Sequence, residues 1–183
     1  MGLEGRYRRT YTISWEQMQR DSKALAIQLL DRKWERIIGI ARGGLIPAAI
    51  IARELDVRLV DTVCISSYTM KRQGELQVIK QIETSSRGDG WLIVDDLVDT
   101  GKTAKVVREM FPEAWFTTVY AKPEGRPYVD TYITEVSQDT WILFPWDAEA
   151  QYSDPVSMKH HLDPEKAKGD HNLSAFRGVD EPS

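Results

Sequence analysis

The stretch Leu92 to Thr103, LIVDDLVDTGKT, constrains this chain more than any other. Trp91 to Val94 is a continuous apolar run that reads as a buried strand, and it ends in two aspartates, Asp95 and Asp96. Gly101 then marks a turn, and Thr103 to Met110 has the pattern of a helix. In open parallel sheets, ligands bind beyond the carboxyl ends of the strands, which is where the acidic pair and the following loop fall. Asp99 to Thr103 offers that position a helix N-terminus with unpaired backbone N–H groups, two hydroxyls and a glycine permitting close approach. This is the chemistry of a monophosphate cradle. A triphosphate-binding loop is the competing reading, because Gly101-Lys102-Thr103 matches the end of that pattern. Its first glycine would fall on Asp96, however, where a carboxylate repels phosphate, so that reading fails.

The remaining elements alternate in the same way. Ser14-Trp15-Glu16-Gln17 has capping-box spacing, and Met18, Leu25 and Leu29 recur at helical intervals, which predicts a helix over 15–30. Arg36 to Ala41 reads as a strand ending at the turn Arg42-Gly43-Gly44, from which a helix runs from Leu45 to about Leu55. Leu59 to Ile65 supplies another strand, with Cys64 read as a small buried hydrophobe. Residues 67–90 read as a long mobile excursion with an amphipathic piece at Leu76 to Ile82, and strands follow at Trp115 to Ala121 and Thr131 to Thr134. The class is α/β, a parallel sheet covered by helices.

A chain of 183 residues, 42% of them hydrophobic, can bury one core, placed here in a single domain over 1–152. From Ser153 onward the chain is polar and aperiodic, and 153–183 reads as a tail; His160, His161 and His171 belong to it and are read as solvated, not as metal ligands. A net charge of -4 with no dominant Lys/Arg cluster argues against nucleic acid as a partner. The absence of a long apolar window and of an apolar core in MGLEGRYRR makes an integral membrane protein or a secreted one unexpected, and the cytoplasm the default address.

An apolar strand, two acidic residues, two apolar residues and Asp-Thr-Gly-Lys-Thr together resemble the phosphoribosyl-diphosphate signature of type I phosphoribosyltransferases. The likeness extends to Ile40–Gly44, Asp61–Tyr68, Ala121-Lys122-Pro123 with Gly125-Arg126-Pro127, and Gln138–Ile142, which are similar to the bacterial xanthine-guanine members of that family. It covers roughly residues 11–147 and leaves out the first ten residues and the tail. It implies a mainly parallel twisted sheet flanked by helices, a flexible loop at about 67–90, and a small base-binding hood at about 136–147.

The resemblance also implies roles. The reaction would transfer ribose 5-phosphate from phosphoribosyl diphosphate to N9 of a 6-oxopurine, guanine or xanthine first and hypoxanthine as a third candidate. The run Asp95 to Thr103 would bind phosphoribosyl diphosphate, with Leu97 and Val98 between the acids and the phosphate loop of Asp99, Thr100, Gly101, Lys102 and Thr103. Asp95 and Asp96 would meet the ribose hydroxyls, Asp96 also holding Mg²⁺. Arg42 and Gly43 would meet the pyrophosphate through an unusual backbone geometry, even a cis peptide. Asp99 would be the catalytic group at N7, where the bland alternative is a helix cap. Lys122 would donate to O6, Trp141 would stack on the base, and the backbone of Ile142 would meet its 2-substituent. On spacing alone Trp141 reads as a core aromatic. Where relatives place a loop arginine this chain has Gly74, with Lys71 or Arg72 as replacements. The resemblance implies a homo-oligomer, a tetramer or a dimer. Two alternatives stand beside it: a non-catalytic sensor of phosphoribosyl diphosphate, and a transferase using orotate or adenine, which would lack the lysine and tryptophan.

Overall fold

The structure is a computed structural model that describes residues 7–67, 76–82 and 84–147. The chain divides after Pro145, and the following description concerns the first unit, Met1–Pro145. The tail over 153–183 with its histidines, and Lys71, Arg72 and Gly74, lie outside the described residues.

The elements in chain order are β1 (Arg9–Thr12), α1 (Trp15–Gln28), β2 (Arg36–Ala41), α2 (Leu45–Glu54), β3 (Val60–Ser67), β4 (Leu76–Lys80), β5 (Trp91–Val98), α3 (Lys102–Met110), β6 (Trp115–Ala121), β7 (Thr131–Glu135) and β8 (Thr140–Leu143). Six strands form one sheet in the order β4-β3-β2-β5-β6-β7, and β1 and β8 form a second of two strands. All neighbours in the large sheet run parallel except β3 and β4. Strand alternation sends Ile38, Ile40, Ile93 and Phe116 into one buried cluster with Ala104, Val107 and Phe111 of α3 and its end. Gly39 faces the other way, where a Cβ would sit 3.2 Å from Ala48 Cβ and 3.3 Å from Leu45 Cδ2, so its lack of a side chain lets α2 lie close on the sheet. Helices therefore cover both faces.

Several elements differ from expectation for identifiable reasons. Ser14 Oγ accepts from the Gln17 amide at 3.2 Å, but the Gln17 side chain donates to the Tyr11 hydroxyl and does not return to the cap, so half of the capping box forms. Leu76–Lys80 is an edge strand antiparallel to β3, not part of a loose excursion; its exposed Ile79 breaks the alternation that would have revealed it. Strand β5 runs through both aspartates to Val98, because β6 continues to pair with it as far as Ala121 opposite Val98. Cys64 is half-buried at a bulge against β4, not a core residue.

One buried polar contact ties α1 to β6. The Tyr120 hydroxyl donates to Asp21 Oδ2 at 2.8 Å, and Asp21 Oδ1 accepts from Arg20 Nε at 3.0 Å. Burial and the adjacent carboxylate push the Tyr120 phenol above its ordinary value. Removing the donor leaves a buried carboxylate oxygen without its partner, so Tyr120→Phe should cost about 1–3 kcal/mol in urea unfolding. A cost below the resolution of that measurement would show the contact to be dispensable.

Candidate active site

Strands β2 and β5 pair from Arg36 opposite Trp91 to Gly39 opposite Val94. Beyond that point β2 continues with β3, to Ala41 opposite Cys64, and β5 continues with β6. Chain direction also diverges here, since β2 leads through α2 to β3 on one side and β5 leads through α3 to β6 on the other. This is the topological switch point at which an open α/β sheet presents a crevice.

The turn Arg42–Gly44 occupies one side of the crevice. The Ala41–Arg42 peptide is cis, one bond ahead of the Arg42-Gly43 pair. Gly43 does not have a left-handed backbone. It is glycine because a Cβ there would lie 2.1 Å from Asp96 Oδ2. A Cβ on Gly44 would lie 2.4 Å from the Val94 carbonyl oxygen and 2.8 Å from that of Ile40. The turn is thus pressed against the end of β5, with the Arg42 side chain exposed.

Across from it, Asp96 N–H donates to Asp95 Oδ1 at 3.0 Å, and Leu97 N–H donates to Asp96 Oδ1 at 2.7 Å. Burial first, and the charge of Asp96 second, hold the Asp95 carboxyl well above the usual aspartate range. Among the described residues no group of three or more His, Cys, Asp and Glu could hold a metal. A hard divalent ion such as magnesium needs only one or two carboxylates plus substrate oxygens, and two adjacent aspartates at the end of β5 are a donor set of that kind.

After Val98 the chain turns through Asp99 and Thr100 to Gly101, whose φ of 76° needs glycine and whose Cβ would strike the Tyr128 ring at 2.0 Å. No side chain caps α3, and its first helical bond runs from Lys105 N–H to the Gly101 carbonyl. The amides of residues 102–104 therefore have no partner within the helix, and they border a pocket of about 130 Å³ lined also by Leu97, Val98, Thr100 and Gly101. Unpaired amides at a helix N-terminus favour a negative charge, and Asp95 and Asp99 also line this pocket.

Asp99 is not the helix cap. Its Oδ1 accepts from Gln138 Nε2 at 2.7 Å, and its Oδ2 lies 3.1 Å from the Tyr7 hydroxyl, which donates to it, and 3.3 Å from Lys122 Nζ. Lys122, 1% exposed, follows β6 directly and is brought back to β5 by its own amide, which donates to the Val98 carbonyl at 2.9 Å. In β8, Thr140 and Ile142 are buried while Trp141 points outward, 37% exposed. The core reading of Trp141 is thereby overturned, and its ring lies 5.0 Å from that of Tyr7.

A phosphoribosyl transferase domain matches residues 14–153, which include every residue of this site named above except Tyr7. The chain belongs to the phosphoribosyl transferase family. It is 60% identical over 156 residues to the xanthine-guanine phosphoribosyltransferase of Desulfotalea psychrophila, covering 84% of this chain and 96% of that one. It is 62% identical over 151 residues to the enzyme of the same name from Chromohalobacter salexigens, covering 82% and 92%. Among solved structures it is similar to a purine phosphoribosyltransferase from Pyrococcus horikoshii, with 31% identity and a TM-score of 0.69 over 81% of this chain and all of that one.

Two side chains that sequence reasoning did not single out join this phosphoribosyl transferase site. Gln138 is oriented unambiguously: its Oε1 accepts from the Glu124 amide at 3.1 Å, so its NH₂ must face Asp99. It thereby engages Oδ1 and leaves Oδ2 toward Lys122. Tyr7 lies ahead of β1, in the segment that the sequence resemblance leaves out. Neither residue has a local signal, because the contacts span 39 and 92 positions of chain.

The acid pair yields a pH-dependent expectation. Because the fold raises Asp95, it binds that proton more tightly than the unfolded chain does. The resulting stabilisation is complete below the ordinary value of 3.8 and is lost as pH rises through the raised one. Asp95→Asn keeps the acceptor for the Asp96 amide and cannot ionise. In magnesium-free thermal melts it should unfold at higher temperature than the parent at neutral pH, with the gap closing as pH falls toward 3.8. A gap that is absent, or the same at every pH, would contradict this account.

Proposed function

We propose that the protein transfers the 5-phosphoribosyl group of phosphoribosyl diphosphate to N9 of a 6-oxopurine in purine salvage, guanine or xanthine first and hypoxanthine third. The observation that carries this reading is the Lys122–Asp99 pair, with Nζ and Oδ2 3.3 Å apart, between the phosphate loop and the outward face of Trp141. A 6-oxopurine presents O6 and N7 side by side on one edge. Lys122 meets O6 as a donor, and Asp99 handles the proton at N7. Adenine places an amino group where Lys122 also presents N–H, which sets donor against donor. Trp141 stacks on the base, and the backbone of Ile142 meets its 2-substituent.

In the reaction, the bond from C1 of the ribose to the diphosphate oxygen breaks with its electron pair on the leaving group, and N9 forms the new bond to C1. The base loses one proton, which Asp99 takes. The amides and hydroxyls of the Asp99–Thr103 loop hold the 5-phosphate with Leu97 and Val98 behind them, each charge-assisted bond contributing roughly 1.5–3 kcal/mol. Arg42 and the amide backbone at Gly43 meet the diphosphate. Asp95 and Asp96 face the ribose hydroxyls and favour the positive charge that develops on the sugar. Asp96, whose Oδ2 faces the Gly43 turn, would hold Mg²⁺, which when bound neutralises charge on the diphosphate. No observation favours a sensor without chemistry, since Asp99, Lys122 and Trp141 are all present and converge. We place the enzyme in the cytoplasm as a homotetramer, with a dimer as the alternative, and its mass in solution is the check. No helix among the described residues is long and apolar enough to cross a membrane.

The test incubates the protein, Mg²⁺ and phosphoribosyl diphosphate separately with guanine, xanthine, hypoxanthine, adenine and orotate. Nucleotide should form with the first two and not with the last two; the reverse order would overturn the assignment. Omitting Mg²⁺ should abolish turnover. Asp99→Ala should lower kcat by roughly 10²- to 10⁴-fold with the fold intact by circular dichroism, and near-parental turnover would remove it from the chemistry. Lys122→Ala should raise the KM for guanine by about 10- to 100-fold, the loss of one charge-assisted bond, and unchanged discrimination against adenine would remove that role.

A further inference from the structure

Tyr7 is held over the site by its position ahead of β1. Thr10 pairs with Trp141 in the β1–β8 ladder, and the Arg8 amide donates to the Asp139 carbonyl at 2.8 Å, so the chain just before Arg9 runs alongside the Gln138–Trp141 segment. From there one side chain meets three of the four groups assigned to the base, Asp99, Lys122 and Trp141. Its hydroxyl donates to Asp99 Oδ2 at 3.1 Å, its ring centroid is 4.6 Å from Lys122 Nζ, and its ring meets that of Trp141 at 5.0 Å and 64°.

This arrangement is incompatible with a bound base. The Lys122 side chain is 2% exposed, so its ammonium is sealed from any incoming acceptor. A carbonyl oxygen must lie within hydrogen-bond distance of Nζ, and the Tyr7 ring at 4.6 Å leaves no room for one on that side. Among the described residues, Gln138, which also bonds to Asp99, comes from the turn before β8. Tyr7 alone belongs to a terminal segment, anchored by a strand whose only partner among the described strands is β8.

We propose that Tyr7 determines the enzyme's affinity for purine by standing in the base position of the free enzyme and yielding it to substrate. The aromatic ring replaces the stacked base, and the phenol hydroxyl replaces the N–H that a purine offers Asp99. The fraction of enzyme with Tyr7 withdrawn sets the apparent affinity for base. Phosphoribosyl diphosphate is held by Arg42, Gly43 and the backbone amides at the start of α3, whereas Tyr7 meets that loop at the Asp99 carboxylate, the group assigned to the base, so the competition falls on the base. This inference rests on the base-binding reading above, and its test separates the two.

Turnover of guanine or xanthine by the parent enzyme decides that reading. The ratio between variants then decides this one. Tyr7→Ala should lower the KM for guanine, measured relative to the KM for phosphoribosyl diphosphate, by about three- to tenfold. Tyr7→Phe keeps the ring and loses the hydroxyl, and should fall between the two. A raised KM for guanine in Tyr7→Ala would make Tyr7 a wall that binds the base, and an unchanged KM would make it a bystander; either overturns the proposal. A second readout does not require turnover. In protein labelled with 3-fluorotyrosine, the resonance missing from Tyr7→Phe should move on saturation with guanine and stay in place with phosphoribosyl diphosphate. A resonance that ignores guanine overturns the proposal as well.

Discussion

The ladder between β2 and β5 ends at Gly39 and Val94 while both strands continue, and the site depends on that ending. If the pairing ran on, Ile40 and Ala41 would lie against Asp95 and Asp96, and the acids would be walled into a sheet. Because β3 keeps hold of β2 and β6 keeps hold of β5, the two strands part without losing their own support. The opening is filled by backbone. Gly44 approaches the Val94 and Ile40 carbonyls more closely than any side chain would permit, and Gly43 does the same against Asp96. The glycines of Arg42-Gly43-Gly44 are thus there for proximity, and only Gly101, across the crevice, is there for its backbone angle.

A chain with a net charge of -4 must hold an anionic substrate by local devices, and two of different kinds are present. The start of α3 supplies neutral donors whose dipoles favour negative charge, and these need no counter-ion. The Asp95–Asp96 pair does the opposite, concentrating negative charge where burial makes it costly. An arrangement that raises the pKa of its own carboxyl is poor as scaffolding, and on the reading proposed above it suits a cation arriving with the diphosphate. Lys122 adds a buried positive charge to the site, set against Asp99 by the fold.

The elements visible in the sequence are those whose burial repeats locally. β2 and β6 have the bounds that their apolar runs imply, and α2 stops within one residue of the expected place, because consecutive side chains there face the core. β1 could not be seen: of its four side chains only Tyr11 is even half-buried, and the strand exists because β8 lies beside it. Trp141 misled for a related reason. An isolated tryptophan near apolar residues suggests a core, but the buried positions of β8 are Thr140 and Ile142, and alternation turns the tryptophan outward. The turn from β5 into α3 was legible, since strand, turn and helix N-terminus are contiguous in the chain. The surroundings of Asp99 were not, since its partners come from Tyr7, Lys122 and Gln138, on three separate segments.

Those segments are not independent. The β1–β8 ladder that places Tyr7 also carries Trp141, and Gln138 stands three residues earlier on the turn that leads into β8. Gln138 is locked in orientation by the Glu124 amide and commits Oδ1 of Asp99. Every other contact the acid makes with Tyr7 or Lys122 therefore converges on Oδ2. One oxygen atom serves the closed free state and, on the reading proposed above, the proton of the base. A residue that withdraws from Oδ2 exposes, in one movement, the acceptor for N7, the donor for O6 and the face of Trp141. On that reading base recognition and chemistry share one carboxylate, whose orientation the fold sets through Gln138 before substrate arrives.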